Sequence, residues 1–369
     1  MGGNALSVPS RRIERSEYIL LESKVLSKVR EKYIDVRTIK FFESKPDFGD
    51  MDILIAKQGE TNELIVQYIK EAFDTKEVVC NTDVISFELE GFQIDFIFMD
   101  PSNMEAAEFY FSYNDLNNLI GRTANQFGLK FGHNGLTYID RGTSGNILNK
   151  LTLTKEPRRI YEFLGYDYDR YLQGFDTIEE VFEFVKSGKY FSTPMFAYEN
   201  LNHQNRTRNK KRKVYEYFLE YISDLHQEYP FKPEREYLDY IDEVFPEVSL
   251  KAQLIELEVA NQKRIELKEK FSGKVVLEVL PNIKPEKLGK FIQAFKSSIP
   301  NFDLFIEYSS EDVIKAAIES FNSKIELVNK LSSYKQLINL AEHHNETETV
   351  LKYKQLVVEF EEKLRLCNN

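Results

Sequence analysis

At 369 residues, with 42% hydrophobic and 30% charged side chains, the chain has the balance of a globular protein of two or three domains. A net charge of −11 argues against a protein that coats nucleic acid over its whole surface, yet it leaves room for a local basic groove. Two distant cysteines, Cys80 and Cys367, and five scattered histidines suggest neither a disulfide framework nor a zinc site. No apolar run approaches the ~18 residues of a membrane span and no signal-peptide core opens the chain, so a cytoplasmic protein with no membrane partner is expected.

The chain opens with Gly2-Gly3-Asn4-Ala5-Leu6, which reads either as a loose start or as a backbone cradle for phosphate oxygens. Ser16 is the expected cap of a helix that keeps Tyr18, Leu21, Val25 and Val29 on one face. A strand is predicted over 36–42, and Pro46-Asp47-Phe48-Gly49 turns the chain into Asp50-Met51-Asp52-Ile53-Leu54-Ile55. Alternation along a strand puts Asp50 and Asp52 on one face and Met51, Ile53 and Ile55 on the other. A helix over 63–73, strands over 78–80 and 84–90, and a further strand over 92–98 follow. That last strand is apolar except for Gln93 and Asp95. Carboxylates are rarely buried without compensation, and three converging ones are the donor set for two Mg²⁺ or Mn²⁺ ions.

Gly49 leading into Asp-Met-Asp, with a third acid on a later apolar strand, resembles the nucleotidyltransferase superfamily, and GDMDIL in particular the family X DNA polymerases, the DNA polymerase β group. With GGNAL it is also similar to nucleotidyltransferases of phages and large viruses. The segment Tyr110-Phe111-Ser112-Tyr113-Asn114-Asp115, with Asn118 and Arg122 four apart on a helix face and Gly128 beyond, extends the resemblance to about residues 14–185. The resemblance implies catalytic and metal-binding roles for Asp50, Asp52 and Asp95. It implies further that Tyr110 and Phe111 meet the incoming sugar, with Tyr113 a further candidate for the nucleotide site, that Asp115 and Asn118 lie near the base, and that Arg122 faces the template or partner strand. Three features depart from the family, the first being Gln93 where the polymerases carry a basic residue before the third Asp. The family's Gly-Ser and paired arginines are absent before Gly49, where Glu43-Ser44-Lys45 stands, so Ser44 and Lys45 or the GGNAL segment are the expected triphosphate contacts. Tyr113 stands where the family has glycine.

Beyond residue 186 the pattern turns helical. The run Arg206-Thr207-Arg208-Asn209-Lys210-Lys211-Arg212-Lys213 reads either as a solvated helix start or, preferably, as a footprint for a phosphate backbone. Tyr215, Phe218, Leu219, Ile222 and Leu225 follow at core spacing. Leu250 to Lys270 reads as a charged helix, 275–280 and 302–307 as strands, 285–297 and 310–322 as helices, and 324–366 as a helical hairpin broken near His344. Residues 285–292 are weakly similar to the tails of tRNA nucleotidyltransferases.

The expected fold is α+β: a polymerase β-like nucleotidyltransferase palm over 1–100, a small thumb-like segment over 101–190, and a mostly helical C-terminal domain with a small α/β piece over 191–369. The expected activity is metal-dependent transfer of a nucleoside monophosphate from an NTP or dNTP to the 3′-hydroxyl of DNA or RNA, tRNA included, in a bacterial or virus-infected cytoplasm. Transfer to a small molecule or protein, and a non-catalytic nucleic-acid-binding protein, are the rival readings.

Overall fold

The apolar alternation of the N-terminal third builds a sheet. In the computed structural model, which describes residues 5–7, 10–142, 144–344 and 347–366, strand β1 (Ile13–Glu14) and helix α1 (Arg15–Val29) precede strands β2 (Val36–Thr38), β3 (Asp47–Phe48) and β4 (Asp50–Ala56). Helix α2 (Asn62–Phe73) and strands β5 (Val78–Asn81), β6 (Val84–Leu89) and β7 (Phe92–Met99) follow. The sheet runs in the order β2-β4-β7-β6-β5, with β4 and β7 parallel and the other pairs antiparallel. Ser16 does not cap α1. Glu14 holds the cap position, and its side chain makes no capping bond.

The two faces of this sheet have different fates. Met51, Ile53 and Ile55 of β4 and Ile94, Phe96 and Phe98 of β7 pack against Tyr18, Leu21, Val25 and Val29 of α1 and Ile65, Ile69 and Phe73 of α2. Each such side chain, fully buried, is worth roughly 1.5–3 kcal/mol. On the other face, Leu54, Ala56 and Met99 are covered by Met104 and Ala107 of helix α3 (Met104–Phe111). That cover contacts only the far ends of β4 and β7, and the near ends carry Asp50, Asp52, Gln93 and Asp95.

Helix α4 (Leu116–Gln126) then leads into a three-stranded antiparallel sheet of β8 (Leu129–Gly132), β9 (Gly135–Arg141) and β10 (Ile147–Thr154), followed by helices α5 (Pro157–Leu164), α6 (Tyr168–Leu172) and α7 (Ile178–Lys186). Gly132 pairs with Gly135 across the β8–β9 turn. Gly135 has a φ of +92°, and a Cβ there would meet the Thr154 carbonyl oxygen at 2.3 Å. A Gly135→Ala protein is therefore expected to lose on the order of 2–5 kcal/mol, from the strained backbone plus the clash. The check is the urea midpoint at unchanged slope, and a midpoint equal to wild type would show that the turn rearranges freely.

The remaining elements are helices α8 (His203–Asn209), α9 (Lys213–Tyr221), α10 (Leu238–Val244), α11 (Leu250–Lys270), α12 (Gly273–Val279), α13 (Pro285–Ser298), α14 (Phe302–Tyr308), α15 (Glu311–His343) and α16 (Thr347–Leu366), with short 3-10 turns between some of them. The protein is thus α+β, with mixed sheets and helices first and a mostly helical C-terminal region after them. The chain divides into two compact units, Met1–Gln253 and Leu254–Asn369.

The small α/β piece is corrected: both segments read as strands are helical. In α12, Val276 is buried and Val275 and Val279 pack on the same core, as does Leu280 just beyond the helix, while Leu277 is 40% exposed. In α14, Phe302, Phe305 and Ile306 face that core and Leu304 is 52% exposed. A strand would have placed Leu277 with Val275 and Val279, and Leu304 with Phe302 and Ile306. The inward spacing is instead three and four residues, and a helix satisfies its backbone without a neighbouring strand. The helix expected over 310–322 and the first arm of the hairpin are one continuous helix, α15. Among the described residues no helix is long and apolar enough to cross a membrane.

Candidate functional site

Side chains at the uncovered end of the sheet open into a cavity of about 1060 Å³. Asp50 and Asp52 of β4 line it, two residues apart on one face. Asp52 stands in register with Asp95 on the parallel neighbour β7, and Asp50 with Gln93. The three acids therefore share one face and one end of the sheet. Burial and the carboxylates of Asp50 and Asp95 push Asp52 up to about 8, against the pull of Lys45. Burial also raises Asp95, opposed by hydrogen bonds from Ser86 and Gln93.

Asp95 is held away from the cavity and does not line it. Gln93 Nε2 donates to both of its oxygens at 2.9 Å, and Gln93 Oε1 accepts from the Ala5 backbone N–H at 2.9 Å. Ser10 joins the two strands, donating through Oγ to the Gly49 carbonyl at 2.9 Å and accepting from the Gln93 N–H at 2.9 Å. Ala5 and Ser10 thus run beside the acids. Gly2, Gly3 and Asn4, the expected phosphate cradle, lie outside the described residues. Gly49 enters only through its carbonyl and does not line the cavity.

The donor set fits hard divalent cations: all oxygen, all carboxylate, with Asp52 burdened by its own neighbours. Among the described residues no three His, Cys, Asp or Glu side chains are already gathered to hold an ion. Asp95 would have to turn from the Gln93 amide to join Asp50 and Asp52.

Lys45 reaches the same acids. Its Nζ donates to Asn114 Oδ1 at 3.2 Å and sits 4.3 Å from the centre of the Phe48 ring. Burial lowers its pKa, while Asp50 and Asp52 pull the other way. Ser44 is exposed, does not line the cavity, and donates its backbone N–H to Asp176. Tyr110 and Phe111 line the cavity with their rings edge to face, 5.4 Å apart.

Tyr113 sits apart from the cavity. Its backbone has a φ of +56°, a conformation natural to glycine, and its side chain turns inward. It is 6% exposed and packs edge-on against Tyr171 and Phe175, so it does not line the cavity. Arg122 is likewise buried at 7% exposure and lies outside the lining, with no acceptor for its Nε among the described residues. Asp115 and Asn118 do line the cavity. They also bind the turn between α8 and α9: Asp115 pairs with Arg212, and Asn118 Nδ2 donates to Asn209 Oδ1 at 3.2 Å.

Through those two contacts the basic run joins the acids in one cavity. Arg208, Lys211, Arg212 and Lys213 line it. Arg206 and Lys210 do not: Arg206 bonds the Leu201 carbonyl, and Lys210 lies 6.0 Å from the Tyr198 ring. Sequence reasoning missed Arg12, Lys40, Asn114 and Tyr217, which also line it. Only Arg12, in the polar turn before β1, carried a signal as one of a pair of arginines. The lining holds seven basic and four acidic side chains, so a cavity of net positive charge sits in a chain of net charge −11. No protein-family model matches this chain, and no curated protein does either.

Proposed function

We propose that residues 1–253 carry a metal-dependent nucleotidyltransferase with a polymerase β-like palm over 1–100 and a thumb-like segment over 101–190, acting on an NTP or dNTP and a polynucleotide 3′-hydroxyl. The observation that carries this reading is Asp52 in register with Asp95, two residues on from Asp50, with Asp50 and Asp52 at the wall of a cavity whose lining holds seven basic side chains. Asp50 and Asp52 would hold two Mg²⁺ or Mn²⁺ ions, and Asp95 would complete the site of the one nearer the acceptor. When bound, the ions lower the pKa of the acceptor hydroxyl and offset the charge of the leaving pyrophosphate.

The protein's own part is positioning and charge. The acceptor oxygen forms its bond to the α-phosphorus, the bond from that phosphorus to the bridging oxygen breaks, and pyrophosphate leaves. Asp95 Oδ would take the hydroxyl proton once freed from Gln93 Nε2. Lys45, beside Asp50 and Asp52, would balance charge on the α-phosphate, and Tyr110 and Phe111 would wall the sugar. The test is incubation with Mg²⁺ or Mn²⁺, each labelled NTP and dNTP, and single-stranded, duplex and tRNA acceptors. Label appearing on an acceptor with release of pyrophosphate supports the reading. No transfer to any of the acceptors would sink it.

A further inference from the structure

Three cations of the basic run, Arg208, Lys211 and Lys213, line the cavity outside any ion pair among the described residues. Of the other cations that line it, Arg12 pairs with Asp47, Arg212 with Asp115, and Lys45 bonds Asn114 beside the acids, while Lys40 stands apart from the run in sequence. The backbone that carries these three is anchored. They fall within six residues on the turn from α8 to α9, whose Asn209 is fully buried and bonded to Asn118. Helix α9 begins there, at Lys213, with no side chain capping its first amides, which adds the positive end of a helix dipole.

Three cations within six residues, outside any ion pair among the described residues, suit a compact polyanion. A strand of nucleic acid spreads its charge at one phosphate per nucleotide, whereas a triphosphate gathers its charge on three adjoining phosphorus atoms. The cluster also shares its cavity with Asp50 and Asp52, which would hold the ions. We propose that Arg208, Lys211 and Lys213 form the subsite for the β- and γ-phosphates of the nucleotide, so that the basic run serves the incoming triphosphate rather than the acceptor backbone. The assignment rests on the nucleotidyltransferase reading above.

The test compares wild type with an Arg208→Ala/Lys211→Ala/Lys213→Ala protein, whose changed side chains are all exposed and whose folding is checked by circular dichroism. Binding of ATP, ADP and AMP with Mg²⁺ is measured by calorimetry, and binding of a single-stranded oligonucleotide across a salt series. Wild type should bind ATP more tightly than ADP and ADP more tightly than AMP. The variant should weaken ATP at least tenfold, leave AMP nearly unchanged, and keep the oligonucleotide salt slope. An unchanged ATP affinity with a flattened salt slope would overturn the assignment in favour of an acceptor footprint, while leaving the transfer reading intact. Wild type binding no nucleotide would overturn both. A phosphate ladder lost in the variant, in a protein that transfers to no acceptor, would keep the subsite and sink the transfer reading.

Discussion

Asp50→Asn, Asp52→Asn and Asp95→Asn proteins are each expected to lose nucleotidyl transfer by a factor on the order of 10³ or more, about 4 kcal/mol of transition-state stabilisation. Each removes a charge from the set that would hold the ions, while the neighbours needed for folding stay in place. Stability should move the other way for Asp52. Burial with Asp50 and Asp95 as neighbours pushes its pKa up to about 8, so its ionised form destabilises the metal-free protein, and an uncharged Asn relieves that. The folded protein keeps this proton to about 8, whereas an unfolded aspartate loses it near the ordinary 3.8. In that window the folded state binds more protons, so the group's contribution to metal-free stability falls as pH rises. Divalent cation, which must displace the proton, should therefore raise the wild-type melting temperature more at pH 8 than at pH 6, and should do little for Asp52→Asn. Near-full transfer by Asp95→Asn would show that the third acid is not a ligand.

The second large effect concerns folding. Tyr113→Ala is expected to cost about 3–5 kcal/mol, because a buried ring packed on Tyr171 and Phe175 is deleted. Tyr113→Gly should cost roughly 1 kcal/mol less than Tyr113→Ala, reversing the usual order of the two, since glycine adopts the φ of +56° without strain. Urea midpoints of the two variants check this order. Because the ring points away from the cavity, the dNTP/NTP ratio of kcat/KM should match wild type in either variant. A changed ratio would place Tyr113 at the sugar after all.

The two readings of Tyr113 show where sequence argument stops. The unusual residue at a glycine position was visible, and so was the pressure it puts on the backbone. Whether the ring turned to the cavity or to the core depended on Tyr171 and Phe175, about sixty residues further on, which no local pattern indicates. The strand segments misread at 275–280 and 302–307 failed for a related reason. A short apolar run carries too few residues to separate a period of two from one of 3.6, and the neighbours that decide are distant in sequence.

What the sequence by itself determined is local and periodic. The alternation of Asp50, Asp52 and Asp95 with buried Met51, Ile53, Ile94 and Phe96 follows from strand geometry alone, and β4 and β7 bear it out residue by residue. The helical spacing of α1 and α2 is legible for the same reason, since one apolar face must be covered. Only the tertiary structure decided that Gln93 occupies both oxygens of Asp95 and that Arg208, Lys211, Arg212 and Lys213 line the same cavity as Asp50 and Asp52. The latter depends on Asp115 meeting Arg212 and Asn118 meeting Asn209, pairs more than ninety residues apart in sequence. Side-chain contacts over such separations are set by how whole elements pack, and a linear pattern carries no term for that.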